Sequence, residues 1–323
     1  MASTSDYDYQ LPEELIARYP ASKRDDSKLM LLDRCKQQIA HLRFTELAGL
    51  VGSDELLVLN DTKVVPARIR FEGREILLIE QLDKTVWRCM VRPGKWFSAG
   101  RKFQVRELHG EVVGVVEEGD RIICFEEPID FERIGELPLP PYIRRDIEES
   151  DKDRYQTVYA SRPGAIAAPT AGLHFTREIL EKLPHVFVTL HVGVGTFKPV
   201  KTENISEHRI HQETFEVGAE AAARINNARQ VLAVGTTTVR TLESLMLHHG
   251  KIQPGCDRTN IFIYPPFEFR RVDSLLTNFH LPRSTLLMLV AAFAGREFLL
   301  EAYRQAIKER YRFFSYGDCM LIR

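Results

Sequence analysis

The chain has little of what would mark a stapled, metal-bound or membrane-embedded protein. Its five cysteines, Cys35, Cys89, Cys124, Cys256 and Cys319, lie far apart in 323 residues and form no Cys-x-x-Cys pair. That spacing argues against a disulfide framework or a structural zinc site and fits a reducing compartment. The longest apolar run, 286–294, is too short to span a bilayer and reads as a buried helix. Net charge is nearly absent: 44 Lys and Arg stand against 45 Asp and Glu, giving −1. Long-range attraction therefore cannot recruit a nucleic acid; only a local basic patch can. No fixed-period repeat occurs, and the polar, acidic first ten residues do not read as a signal peptide. What remains is an ordinary globular composition, 44% hydrophobic and 28% charged, long enough for two domains.

The pattern changes along the chain. Residues 11–17 read as a short helix with Pro12 near its start. Strands are expected at 29–33 and 55–60, the second ending on the polar Asn60-Asp61-Thr62-Lys63. From 66 to 127, short Val-, Ile- and Phe-rich runs recur at 68–71, 76–81, 86–91, 102–107, 110–116 and 121–125. Turns such as Arg92-Pro93-Gly94-Lys95 separate several of them, so this region predicts a small barrel or sandwich. The proline-rich 137–142 is an extended return connection, and 144–154 a solvated, partly helical surface. Thereafter strands and helices alternate. Thr176 caps a helix to Leu183, 186–191 is a strand, 220–229 a helix and 231–234 a buried strand. Helix 239–249, strand 260–264 and helices 284–294 and 300–310 follow. The fold class is therefore α/β: a discontinuous mixed α/β domain, 1–65 with 152–323, carrying an inserted small all-β barrel domain and return linker at 66–151.

Polar loops punctuate the second half. Ala168-Pro169-Thr170-Ala171-Gly172-Leu173-His174 surrounds a hydroxyl and an imidazole with small residues that let backbone approach a ligand; the competing reading is a tight turn with a structural histidine. Thr189-Leu190-His191-Val192-Gly193-Val194-Gly195-Thr196 is half of a dinucleotide loop. It fails the full pattern because Lys198 stands where the last glycine belongs and no helix follows. Its glycines can still present N–H groups to a small ligand, and His191 is a second acid–base candidate. Gly235-Thr236-Thr237-Thr238 joins a buried strand to a helix, a place for a carboxylate or phosphate, with Arg240 and Glu243 one and two turns on. Thr277-Asn278-Phe279-His280 and Arg312-Phe313-Phe314-Ser315-Tyr316-Gly317-Asp318 combine aromatic and polar groups that suit base stacking or core packing equally. His208 and His211 lack a third ligand at a recognised spacing, so no metal is expected. Basic residues gather at Arg68 and Arg70, at Arg88, Arg92 and Lys95, and at Arg144 and Arg145. Such clusters are ordinarily solvated faces, or else a nucleic-acid footprint.

These segments, in their order and number, resemble the S-adenosylmethionine:tRNA ribosyltransferase-isomerase family of queuosine biosynthesis. The resemblance runs from about residue 6 to 322. It is carried by Asp8-Tyr9-Gln10-Leu11-Pro12, Leu57-Val58-Leu59-Asn60-Asp61-Thr62-Lys63, Tyr155-Gln156-Thr157-Val158-Tyr159 and the loops quoted above. One departure is Ile210-His211-Gln212-Glu213, where members often carry Met-His-Ser-Glu. The resemblance implies transfer and isomerisation of the ribosyl part of S-adenosylmethionine onto 7-aminomethyl-7-deazaguanine at the wobble position of tRNA, with epoxyqueuosine-tRNA, adenine and methionine as products. S-adenosylmethionine is then a consumed substrate, with no resident cofactor, and the enzyme a cytoplasmic monomer with no membrane partner.

Such chemistry needs a base for the ribose 5′-carbon, here His174 or His191, with Asp318 as a third catalytic candidate. Substrate contacts are expected from Asn60, Asp61, Thr170, Gly193, Gly195, Thr196, Thr236, Thr237, Arg240, Glu243, Asn278, His280, Phe314 and Tyr316. Arg68, Arg92, Lys95, Arg144 and Arg145 are expected to meet the tRNA. Two rivals remain. A silent tRNA-binding module would have lost the polar loops, and an ordinary methyltransferase would want a glycine-rich loop after its first strand.

Overall fold

The computed structural model describes residues 3–116, 119–193, 195, 200 and 202–323; Thr196 lies outside the described residues. The chain forms two compact units, Met1–Lys63 with Pro140–Arg323, and Val64–Leu139.

It opens with β1 (Lys28–Asp33), β2 (Gln38–Arg43), the single turn α1 (Leu47–Leu50), β3 (Glu55–Asn60) and β4 (Thr62–Val64). The second unit holds β5 (Arg68–Phe71), β6 (Arg74–Gln81), β7 (Val86–Arg92), β8 (Lys102–Val105), β9 (Leu108–Val115), β10 (Arg121–Phe125) and the single turn α2 (Phe131–Ile134). Its six strands pair antiparallel in the order β5-β6-β7-β10-β9-β8. The sheet curls until its edge strands meet through side chains: Phe71 of β5 and Phe103 of β8 stack with ring centroids 5.8 Å apart. It is thus a nearly closed, barrel-like sheet whose alternate residues, such as Phe103 and Val105 of β8, are buried.

The chain returns through α3 (Asp151–Arg154), β11 (Arg162–Ala165), α4 (Arg177–Leu180) and β12 (His185–Leu190). Then come β13 (Glu213–Val217), α5 (Ala219–Asn227), β14 (Gln230–Val234), α6 (Thr236–His249) and β15 (Gly255–Thr259). It ends with β16 (Ser274–Asn278), α7 (Thr285–Ala294), α8 (Arg296–Lys308) and β17 (Cys319–Ile322). The first unit is built on a nine-stranded sheet, β15-β13-β12-β3-β14-β16-β17-β1-β2. Its centre, β12-β3-β14-β16, is parallel. Every residue of β3 is buried, as a central parallel strand requires. Leu57 and Leu59 of β3, Leu232 and Val234 of β14 and Leu276 of β16 pack with Phe44 and Phe175 in one core.

This topology positions the site. Four parallel strands end at the same edge of the sheet, so Asn60, Leu190, Val234 and Asn278 lie at neighbouring strand ends. Strand β17 is antiparallel to β16, with Cys319 opposite Asn278, and β1 is parallel to β17. The starts of β17 and β1, just after Asp318 and Ser27, therefore share that edge. Crevices outside the carboxyl ends of parallel strands are where such sheets hold ligands.

Several elements differ from the sequence expectation. Residues 260–264 form no strand; the ladder lies one segment earlier, at β15, whose Gly255–Thr259 pairs with β13. Ile261, Phe262 and Ile263 have strand-like side chains, but they run into Pro265 and Pro266, which cannot donate to a ladder. Helix α6 begins at Thr236, three residues early, because Gly235 turns the chain out of β14 at φ 90°, a conformation open to glycine. Strand β2 escapes notice because no residue in it is buried.

Candidate active site

A cavity of ≈ 600 Å³, open solvent at its mouth included, lies at this edge and is lined entirely by residues of the first unit. Of the expected site residues, Thr170, Thr236, Thr237, Asn278, His280 and Phe314 line it. Thr236 and Thr237 sit in the first turn of α6, whose N-terminus has no side-chain cap, so backbone N–H groups there lack an internal partner. Phe314 adopts φ 71°, costly for an aromatic residue at about 1–3 kcal/mol, and its ring packs on Tyr142 at 4.8 Å. Tyr142 and Ser315, hydrogen-bonded at 2.5 Å, also line the cavity; the sequence reading missed both as contacts.

His174 stands behind this cavity. Its turn packs so tightly that a Cβ on Gly172 would lie 2.0 Å from the Tyr159 hydroxyl oxygen. The Asn278 amide nitrogen faces the carbonyls of Phe314 (3.2 Å) and Asp318 (3.4 Å), pure acceptors that fix which end of the amide is nitrogen. The same nitrogen donates to His174 Nε2 at 3.2 Å. Nε2 is then an acceptor, and Nδ1–H donates to Ser27 Oγ at 2.8 Å. Burial, then the positive charges of Arg312 and Arg24, push the His174 pKa down to about 3. On the far side of the amide, Asn278 Oδ1 is buried without a partner. His280 is also held neutral by burial, at about 3, with Nε2 2.8 Å from Thr277 Oγ1.

Asp318 accepts from the backbone N–H of Lys28 (2.8 Å) and Arg312 (2.7 Å), tying β1 to the last loop; burial raises its pKa. Tyr316 donates to buried Asp151 at 2.7 Å and faces a smaller recess beside the cavity.

The other strand ends form a separate network. Asn60 Oδ1 accepts from Leu190 N (3.0 Å) and Thr62 N (3.1 Å), while Nδ2 reaches Leu190 O (2.9 Å) and Thr237 Oγ1 (3.3 Å), clasping β3, β12 and α6. Asp61 accepts from Thr189 Oγ1 at 2.6 Å and Ser161 Oγ at 2.9 Å. His191 is half-buried, which lowers its pKa. Its Nδ1 is 2.8 Å from Thr62 Oγ1, and Nε2 has no hydrogen bond among the described residues.

Gly193 N donates to Glu213 Oε1 at 3.0 Å, and Arg240 pairs with Oε2 of the same carboxylate. A Cβ on Gly195 would lie 3.2 Å from His211. Arg240 Nε and Nη2 remain buried without partners. Glu243 accepts three backbone N–H bonds from Arg270, Arg271 and Val272 at 2.9–3.0 Å. Glu213 is the hub that was not foreseen. Alternation in Glu213-Thr214-Phe215-Glu216-Val217 places it on the buried face with Phe215 and Val217, a signal legible in the sequence.

Of the basic residues, Arg68 is buried, 3.6 Å from Glu136. Arg144 meets Glu13 at 2.9 Å. Arg145 forks onto Asp151 at 2.6 and 2.7 Å. Arg92 and Lys95 are exposed. Among the described residues no cluster of three His, Cys, Asp or Glu could hold a metal ion, and no helix is long and apolar enough to cross a membrane.

Comparison with known proteins adds the chemistry. A family model described as "Queuosine biosynthesis protein" matches residues 4–322. A protein of Trichlorobacter lovleyi named S-adenosylmethionine:tRNA ribosyltransferase-isomerase is 48% identical, the alignment covering 98% of each chain. A relative of the same name from Carboxydothermus hydrogenoformans is 50% identical, again over 98% of each. The crystal structure of S-adenosylmethionine tRNA ribosyltransferase from Thermotoga maritima superposes with a TM-score of 0.56 at 40% identity, covering 99% of this chain and 100% of that one.

Proposed function

The chain belongs to the queuosine biosynthesis protein family, and from that membership we propose how its cavity serves the family's reaction. The enzyme transfers and isomerises the ribosyl moiety of S-adenosylmethionine onto 7-aminomethyl-7-deazaguanine at the tRNA wobble position. Epoxyqueuosine-tRNA, adenine and methionine are its products. S-adenosylmethionine is consumed rather than kept as a cofactor, and the working unit is a cytoplasmic monomer.

The observation that carries the site assignment is the cavity at the sheet edge, with unsatisfied polar groups at and beside it. The uncapped start of α6, with Thr236 and Thr237, takes the methionine carboxylate. Arg240, one turn on, has its charge balanced by Glu213 and keeps Nε and Nη2 buried without partners among the described residues. Asn278 Oδ1 accepts from a substrate N–H, the ammonium or the adenine amino group. Phe314 and Tyr142 flank a base. His280, a neutral imidazole in the cavity wall, offers a donor or acceptor to departing adenine.

Between the two base candidates, His191 is the better placed chemically, since its Nε2 has no hydrogen bond among the described residues. Both nitrogens of His174 are occupied, and it acts by orienting Asn278. Asp318 and Glu243, saturated by backbone N–H groups, hold the walls.

The test uses ribose-labelled S-adenosylmethionine and tRNA bearing the aminomethyl base. Ribosyl label on the tRNA with stoichiometric adenine is expected; methyl transfer or no transfer would overturn the function. His191→Gln should then lower kcat by about 10²–10⁴-fold, and near-normal turnover would remove it as the base.

A further inference from the structure

Beside the main cavity lies a smaller recess that shares Ser315 as a wall. Arg24 and Arg154 line it with His174 and Tyr316, and Arg312 lines a separate open groove with Glu13, Glu14 and Tyr19. Arg154 lies within electrostatic reach of both Arg24 and Arg312 and repels them.

Each side chain is held in place by main-chain carbonyls. Arg24 donates to Asp153 O at 2.7 Å and Leu173 O at 3.3 Å. Arg154 donates to Ala21 O at 2.7 Å and Ser22 O at 3.1 Å. Arg312 donates to Tyr19 O. These bonds use at most two of the five donors on each guanidinium. Arg154 Nε is buried with no partner among the described residues.

Two carboxylates act on the cluster from a distance, Asp153 on Arg24 and Asp318 on Arg312, but neither closes it as an ion pair. Among the described residues none of the three arginines forms an ion pair. The nearby carboxylates are already engaged or solvated: Asp318 accepts two backbone N–H bonds, Asp151 is forked to Arg145, and Asp153 is exposed. Pinning segment 19–24 to its neighbours would explain the carbonyl bonds. It does not explain three like charges gathered without an ion-paired anion, an arrangement that a further anion would stabilise.

We infer that Arg24, Arg154 and Arg312 hold a backbone phosphodiester of the RNA substrate, beside the cavity where the modified base reacts. This rests on the reading that the chain modifies a tRNA. S-adenosylmethionine, adenine and methionine contain no phosphate, so the RNA backbone is the one phosphate source in the reaction. Guanidinium forks match phosphate geometry, and such contacts set register without reading sequence.

The experiment measures equilibrium binding of tRNA bearing the aminomethyl base to wild type, Arg24→Gln, Arg312→Gln and Arg24→Lys across a salt series. Melting temperatures and turnover are followed in parallel. Each Gln variant should weaken binding roughly tenfold or more and flatten the slope of log Kd against log salt by about one, a slope change that the loss of carbonyl bonds read in the melting temperature would not produce. Arg24→Lys, which keeps the charge, should keep the slope.

Unchanged affinity in the Gln variants overturns the site. So does equal loss in Arg24→Gln and Arg24→Lys with an unchanged slope, which marks a structural role. Wild-type protein that binds but never transfers ribosyl label would instead sink the functional reading, a separate result.

Discussion

His174 and His280 are refused a proton by their surroundings, and that has a measurable cost. Both have pKa values near 3 in the folded chain, against about 6.5 when unfolded. Between those values the unfolded chain binds protons that the native chain does not. Acidification through this window therefore favours unfolding, and above about pH 6.5 the contribution is flat. Each histidine should lower stability by about 1.4 kcal/mol per pH unit below 6.5. Denaturant melts of wild type and His280→Gln from pH 4.5 to 7.5 should show the variant with a shallower decline; parallel curves would refute the assignment. Glu213 poses the opposite case. It shares a buried ion pair with Arg240 and also holds Gly193. Glu213→Gln leaves the Arg240 charge uncompensated, and a loss of about 3–5 kcal/mol is expected in the same melts.

At the scale of elements, the strand-to-helix junction at Gly235 decides whether α6 starts where the cavity needs it. Gly235→Ala forces a side chain into φ 90°, at a cost of about 1–3 kcal/mol. If the start of α6 tilts, kcat/KM for S-adenosylmethionine should fall while tRNA affinity holds; a stability change with unaltered kcat/KM would detach the turn from substrate binding. Elements like this one were legible where chemistry and pattern coincide. The buried strands at 55–60 and 231–234 announce themselves by the apolar runs 56–59 and 231–234. Thr176 was readable as a cap, and its Oγ1 does accept from Ile179 N at 3.3 Å. The Thr170, Asn278 and Phe314 loops were visible as polar or aromatic interruptions at strand ends. What stayed hidden depends on long-range pairing. Strand β15 presents mostly exposed side chains and exists because β13 offers it a ladder. The role of His174 depends on which atom of Asn278 faces it, and two carbonyls remote in sequence settle that.

For the whole molecule the question is how a chain with a net charge of −1 binds a polyanion. Net attraction is absent, so affinity must come from cations that are locally unpaired, and the ion pairs sort the candidates. Arg68 is buried against Glu136 and Arg145 is spent on Asp151; both serve the fold. Arg92 and Lys95 are exposed and can each exchange a counterion for a phosphate. Two kinds of variant should therefore separate. Arg92→Gln and Lys95→Gln should each weaken tRNA binding across tRNA sequences and reduce the salt slope by about one, at constant stability. Arg68→Gln should destabilise the protein, because it removes a buried guanidinium that the fold holds beside half-exposed Glu136, and should leave the salt slope alone. Filter binding at several salt concentrations, paired with thermal melts, reads both. If Arg68→Gln flattened the slope as much as Lys95→Gln, burial would not be the property that divides binding cations from structural ones.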